Sequence, residues 1–198
     1  MISGSFAMSL IFCKEPFYDD FDLYFSKKSD LKNAIKLLDT SLEFKKISKT
    51  KHALTYLHEK KKKKLQLILK LRKSLYHLAT GHDFINCSVA YSSKNNNFWI
   101  SKNAYSIWRN KELEIQKTPL QNKNIPDIYY FNTYAILLQR VNKYKQRYGL
   151  SLSKKGTQQL NSFKKEFQKR AENYPPDYWL KPIDYNGTVY SFALKLFT

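Results

Sequence analysis

Leu65, Leu67, Leu69 and Leu71 fall on alternate positions, with Gln66, Ile68, Lys70 and Arg72 between and after them. Period-two spacing puts the leucines on one face of a strand and most of the polar residues on the other. The same stretch also carries a helical stripe of Leu65, Ile68, Leu69, Arg72 and Leu75. Four leucines at strict alternation favour the strand, expected over residues 65–76. Upstream, Phe21, Leu23 and Phe25 alternate with Asp22, Tyr24 and Ser26, which predicts a short strand. Ser29 and Asp30 supply an N-cap for a helix whose apolar face is Leu31, Ala34, Ile35, Leu37 and Leu38. Leu42, Phe44 and Ile47 open a second strand region that continues through Ala53 and Tyr56. The order to this point is strand, helix, strand, strand.

Beyond His77 the pattern is harder to place. Residues 85–91 and 98–108 read as strands around the polar loop 94–97. Residues 117–127, with Pro119 and Pro126, read as a linker. Tyr130, Tyr134, Leu137, Leu138, Val141, Tyr144 and Tyr148 mark an amphipathic helix stopped by Gly149. That aromatic stripe reads as core packing rather than a base-stacking surface. Ser153 opens another helix, closed by Pro175 and Pro176, and Asn186-Gly187 turns the chain into a final strand over 189–197. The pattern predicts an α+β fold, a ferredoxin-like split βαββαβ core with a large mixed insertion. Residues 1–20 read as an N-terminal extension, 21–77 as the first part of the core and 78–152 as the insertion. Residues 153–198 read as the closing helix and strand.

Composition changes the picture by adding charge. The chain has 198 residues, 42% hydrophobic and 16% aromatic, enough for a folded core. Its formal net charge of +19 calls for a polyanionic counterpart, nucleic acid or an anionic surface. Lysine run Lys60, Lys61, Lys62, Lys63, Lys64 concentrates that charge directly against the alternating leucines. Lysine is a point charge, so such a patch holds phosphate backbone and reads little sequence. Only five of the basic residues are arginine, and tyrosine, phenylalanine, asparagine and isoleucine abound. This usage points to an AT-rich coding genome, such as that of an organelle. No apolar run approaches the 18 residues of a membrane helix, and residues 1–12 lack a signal peptide's basic n-region.

Candidate chemistry is sparse. With five glycines there is no phosphate loop of the GxGxxG or GxxxxGK kind. Cys13 and Cys87 are too few for a disulfide framework, and His77, His82 and Cys87 match no zinc spacing. Asp19, Asp20 and Asp22 read as a solvated turn rather than a divalent-ion site. Gly81-His82-Asp83 lacks a partnered nucleophile. The expectation is no enzymatic activity, no cofactor, no metal and no small-molecule substrate.

The stretch from His58 to Leu75 resembles the small-subunit ribosomal proteins of the S-ten (NusE) family. That family carries Pro-His-Val-Asn-Lys-Lys-Ser-Arg-Glu-Gln-Phe-Glu-Ile-Arg-Thr-His-Lys-Arg-Leu. This chain offers His58 for the His, Lys61 and Lys62 for the lysine pair, and Gln66, Lys73 and Leu75 for the Gln, Lys and Leu. Leu57 stands where the family has Pro, Lys63-Lys64-Leu65 where it has Ser-Arg-Glu, and its Pro-Leu-Pro hairpin is missing. The resemblance implies a structural protein of the small ribosomal subunit with ribosomal RNA and neighbouring ribosomal proteins as partners; the AT-rich residue usage makes the mitochondrion the expected location, and no membrane partner is expected. An alternative location is the cytoplasm of an AT-rich organism. His58, Lys60, Lys61, Lys62, Lys63, Lys64, Gln66, Lys70, Arg72 and Lys73 are the expected RNA-binding residues. The alternative functions are a non-ribosomal nucleic-acid-binding module of a replication, mobile-element or defence system, or an accessory subunit of a large organellar complex.

Overall fold

Strand β1 (Ile2–Ser3) turns at Gly4 into helix α1 (Ser5–Phe12), so residues near the start of the chain are already part of the sheet. The computed structural model describes residues 1–13, 20–116, 118–122 and 124–174. It divides into two compact units, Met1–Lys111 and Glu112–Thr198. The first unit continues with β2 (Asp20–Leu23), α2 (Lys28–Asp39), β3 (Phe44–Lys49), β4 (Ala53–His58) and β5 (Lys63–Ile68). It ends with α3 (Leu75–Ala79), β6 (Val89–Ser92), β7 (Asn97–Ile100) and α4 (Lys102–Arg109). The strands form one sheet in the order β3-β4-β5-β2-β1-β6-β7, with β2 in the middle. β2 and β5 run parallel, and the other neighbours are antiparallel.

The alternation that predicted strands also sorts their faces. Leu23 and Leu67 point to the face covered by α2, where Leu31, Leu54 and Tyr56 complete a buried cluster. Each such side chain contributes about 1.5–3 kcal/mol of apolar burial. Tyr24 points to the opposite face and packs with Leu78 and Ala79 of α3 and Ala90 of β6. The α+β class is as expected from the pattern, whereas the order differs from strand, helix, strand, strand: β1 and α1 precede β2, and the second strand region is the two strands β3 and β4.

Local chemistry explains where the elements depart from the pattern. The second strand region is a hairpin, because the Thr50 hydroxyl accepts from the His52 and Ala53 amides at 3.1 and 3.0 Å and turns the chain. β5 stops at Ile68 although the leucines alternate to Leu71. Ser74 accepts from the His77 amide at 3.2 Å and starts a helix instead. Residues 85–91 are a 3-10 turn followed by β6, and 98–108 are β7 followed by α4. Ala104, Ile107 and Trp108 bury the helical face of α4. Beside β2, on the side away from β5, lies β1. The expected final strand over 189–197, its Asn186-Gly187 turn and the Pro175-Pro176 stop lie outside the described residues.

In the second unit, β8 (Glu112–Leu113) pairs in parallel with β9 (Ser151–Leu152) beside helices α5 (Asp127–Tyr148) and α6 (Lys154–Ala171). The tyrosine stripe of α5 is core, as its spacing predicts: Tyr130, Tyr134, Leu137 and Tyr144 are buried. Phe131 meets Phe167 of α6 edge-on at 4.8 Å between ring centroids. Gly149 ends α5 in the left-handed conformation, φ +63°.

Candidate functional site

The lysine run forms the tip and first residues of the β4–β5 hairpin. His58 pairs with Lys63, so Glu59, Lys60, Lys61 and Lys62 make the loop. Lys62 closes it with a left-handed backbone, φ +53°, and its amide donates to the His58 carbonyl at 2.9 Å. Lys60 to Lys64 are all exposed. His58 is half-buried against the Phe44 ring, 4.9 Å between centroids, so it supports the loop more than it presents itself. Lys70, Arg72 and Lys73 follow the other end of β5, about 20 Å from Lys64 at the ordinary rise of a strand. The backbone amide of Arg72 donates to the Phe25 carbonyl at 2.8 Å. Lys73 lines a cleft of about 410 Å³ with Ser26, Asp30, Ser74 and Lys94. The expected RNA-binding residues are therefore split between two ends of the sheet.

The hairpin end carries more than lysine. The parallel register sets Asp20 beside Lys64 and Asp22 beside Gln66. Residues two apart on a strand share a face, so Asp20 and Asp22 project together, about 6.6 Å apart along the strand. Phe21 and Leu23 face the other way, Phe21 onto Phe6 of α1 with ring centroids 4.3 Å apart. Both aspartates are half-buried. The row continues across the sheet: Gln66 pairs with Thr55, and Thr55 with Ser48. A second row runs Asp20, Lys64, Leu57 and Lys45.

β1 is antiparallel to β2 with Ile2 opposite Leu23, so the turn after β1 lies toward the Asp20 end. Gly4 there has φ +81° and ψ −149°, a conformation essentially reserved for glycine. It opens α1, whose N-cap residue makes no side-chain hydrogen bond, so the positive end of the helix dipole faces this turn, a place that suits anions. His82 braces this turn: its Nε2 is 2.7 Å from the Ser3 hydroxyl, which donates its own proton to the Val89 carbonyl. Nε2 must then carry the proton and donate to Ser3, so His82 positions Ser3 and is no base toward it.

Sequence reasoning missed Asp20, Asp22 and Gly4 as a set. The signal was present in the alternation of Asp20 and Asp22 with Phe21 and Leu23, which is strand rather than turn spacing. Among the described residues no three acidic, His or Cys side chains gather as a metal site, and no helix is long and apolar enough to cross a membrane.

Comparisons with known proteins give the fold a context. A CCA-adding enzyme solved with ATP superposes with a TM-score of 0.57 at 15% identity, over 86% of this chain and 39% of that one. A tRNA-processing enzyme with CTP gives 0.55 at 14%, over 86% and 44%. The Bacillus stearothermophilus CCA-adding enzyme with CTP gives 0.53 at 12%, over 79% and 37%. The likeness is one of fold, and the chain spans less than half of each of these structures. They are structures of enzymes, which removes the fold as support for an expectation of no activity. No curated protein matches the chain.

A family model, the Gabija anti-defense 2 family, matches residues 1–111. This match and the fold overturn the S-ten ribosomal assignment. The mitochondrial ribosome, its RNA and its neighbouring proteins fall with it as partners. The residues that carried the resemblance, His58, Lys61, Lys62 and Gln66, lie on one hairpin, where lysine matches come cheaply in a chain this basic. The defence-system alternative is the better supported of the two readings. The matched residues coincide with the first compact unit and make up more than half of the 198 residues, and the chain belongs to the Gabija anti-defense 2 family.

Proposed function

We propose that the chain counters a Gabija defence system and does so as a nucleotidyltransferase. In this reading it moves a nucleotidyl group from a nucleoside triphosphate to an acceptor, with release of pyrophosphate. The observation that carries this is Asp20 and Asp22 on one face of the central strand, at the same end of the sheet as the Gly4 turn and the uncapped start of α1. Two carboxylates are the hard oxygen donors that Mg²⁺ takes together with substrate phosphates, so the donor set fits a divalent ion. When bound, such an ion neutralises phosphate charge. The positive end of α1 suits a phosphate, and Gln66 offers a neutral hydrogen-bonding group beside Asp22. Similar structures solved with ATP and with CTP support a triphosphate as the small substrate.

The test is pyrophosphate release from each of the four ribonucleoside triphosphates with Mg²⁺ and cell extract as acceptor source. Asp20→Asn with Asp22→Asn should lower the rate at least about a hundredfold, as loss of a charge-stabilising site does, with an unchanged melting temperature. The same variant should fail to restore phage plating on Gabija-bearing cells. Undiminished release or undiminished rescue by the double variant sinks the reading.

A further inference from the structure

We propose that the acceptor is a nucleic-acid strand, laid along the face of the sheet that carries the carboxylates toward the exposed β3 edge and gripped by the β4–β5 hairpin. The proposal rests on the nucleotidyl-transfer reading above. Its ground is the register of four adjacent strands. From Asp20 a row runs through Lys64 and Leu57 to Lys45, with lysine on either side of the leucine, and from Asp22 a polar row runs through Gln66 and the buried Thr55 to the exposed Ser48. Neighbouring strands are about 4.8 Å apart, so each row spans roughly 14 Å from β2 to β3. That suits about two consecutive phosphodiester units.

The hairpin sits at the start of this track. Lys60, Lys61 and Lys62 form the loop just beyond the His58–Lys63 pair, next along the hairpin from the Asp20–Lys64 pair. All three are exposed, as is Lys45 at the edge. The chemistry of the track is that of sequence-tolerant backbone binding. Lysine neutralises phosphate without discriminating bases, and amide and hydroxyl side chains hydrogen-bond sugars and base edges. An acidic protein would not need the neutral groups of Gln66 and Ser48.

The experiment uses the full chain and a fluorescein-labelled 20-nucleotide single strand, as RNA and as DNA, with affinity read by anisotropy. Triphosphate binding is measured separately by equilibrium dialysis of ATP and CTP with Mg²⁺. The variant Lys45→Ser, Lys60→Ser, Lys61→Ser, Lys62→Ser should bind the strand at least about tenfold more weakly and keep its triphosphate affinity. Asp20→Asn with Asp22→Asn should bind the strand at least as tightly as wild type, because two carboxylates that repel phosphate are gone. A lysine variant that binds the strand like wild type overturns the proposal and leaves the transfer reading standing. So does labelling of a protein, with no strand bound by wild type. A wild type that grips the strand through these lysines but neither binds nor consumes triphosphate overturns the transfer reading, and with it the strand's role as acceptor.

Discussion

Tyr130 shows how much one buried side chain contributes in the second unit. Its hydroxyl donates to the Phe163 carbonyl at 3.1 Å, and the Arg170 guanidinium lies 4.5 Å above its ring. Arg170 in turn reaches Asp127 and Glu166, each at 2.8 Å, and the Ile125 carbonyl at 2.7 Å. Burial pushes the Tyr130 phenol from 10.0 up to about 12, with the Glu166 carboxylate adding to the rise and Arg170 opposing it. Between those two values the unfolded chain gives up a proton that the folded chain keeps. Stability is therefore fully present below pH 10 and falls as pH rises toward 12, by roughly 2–3 kcal/mol. Urea unfolding at pH 9 and 11.5 should show this loss. Tyr130→Phe should sit about 1 kcal/mol below wild type at pH 9 but lose clearly less on going to 11.5. Parallel losses in the two proteins would assign the alkaline sensitivity to other groups.

At the scale of elements, the joint between β8, β9 and α6 depends on a glycine. The Ser153 hydroxyl accepts from the Gly156 amide at 3.0 Å and caps α6, while the Ser153 amide donates to the Leu113 carbonyl at 3.1 Å. A Cβ on Gly156 would come within 2.9 Å of that same carbonyl oxygen, which is fixed by the strand pair. Gly156→Ala should therefore cost about 1–3 kcal/mol by forcing α6 off β8, despite alanine's better helix propensity. A melting temperature at or above wild type would refute this. Ser153 as the start of α6 was legible in the sequence, because a cap is a local signal. The tyrosine face of α5 was legible too, because helical spacing over several turns is redundant. β1 was not: two residues carry no period, and their pairing with β2 and β6 is set by residues about 20 and 90 positions away. β5 was legible in kind but not in length, since its end is decided by the cap of α3 rather than by its own leucines. The candidate site suffered most, because its parts come from the ends of three strands brought together only by the sheet.

At the scale of the whole molecule, a formal charge of +19 alone would draw any polyanion. Weak nucleic-acid binding by the chain would therefore say little. Placement of charge is what separates a built track from general attraction. Lys60, Lys61 and Lys62 and, in the second unit, Lys164, Lys165 and Lys169 are two exposed triplets of equal charge. Converting either triplet to serine removes the same three charges, so long-range attraction drops equally. If the hairpin contacts phosphates, its variant should also lose counterion release at three positions. The slope of log affinity against log salt for a single strand should then become shallower by about 2. The α6 variant should keep the wild-type slope and lose affinity only slightly at low salt. Equal slopes in the two variants would mean that the strand senses the charge of the whole chain and not the hairpin beside Asp20.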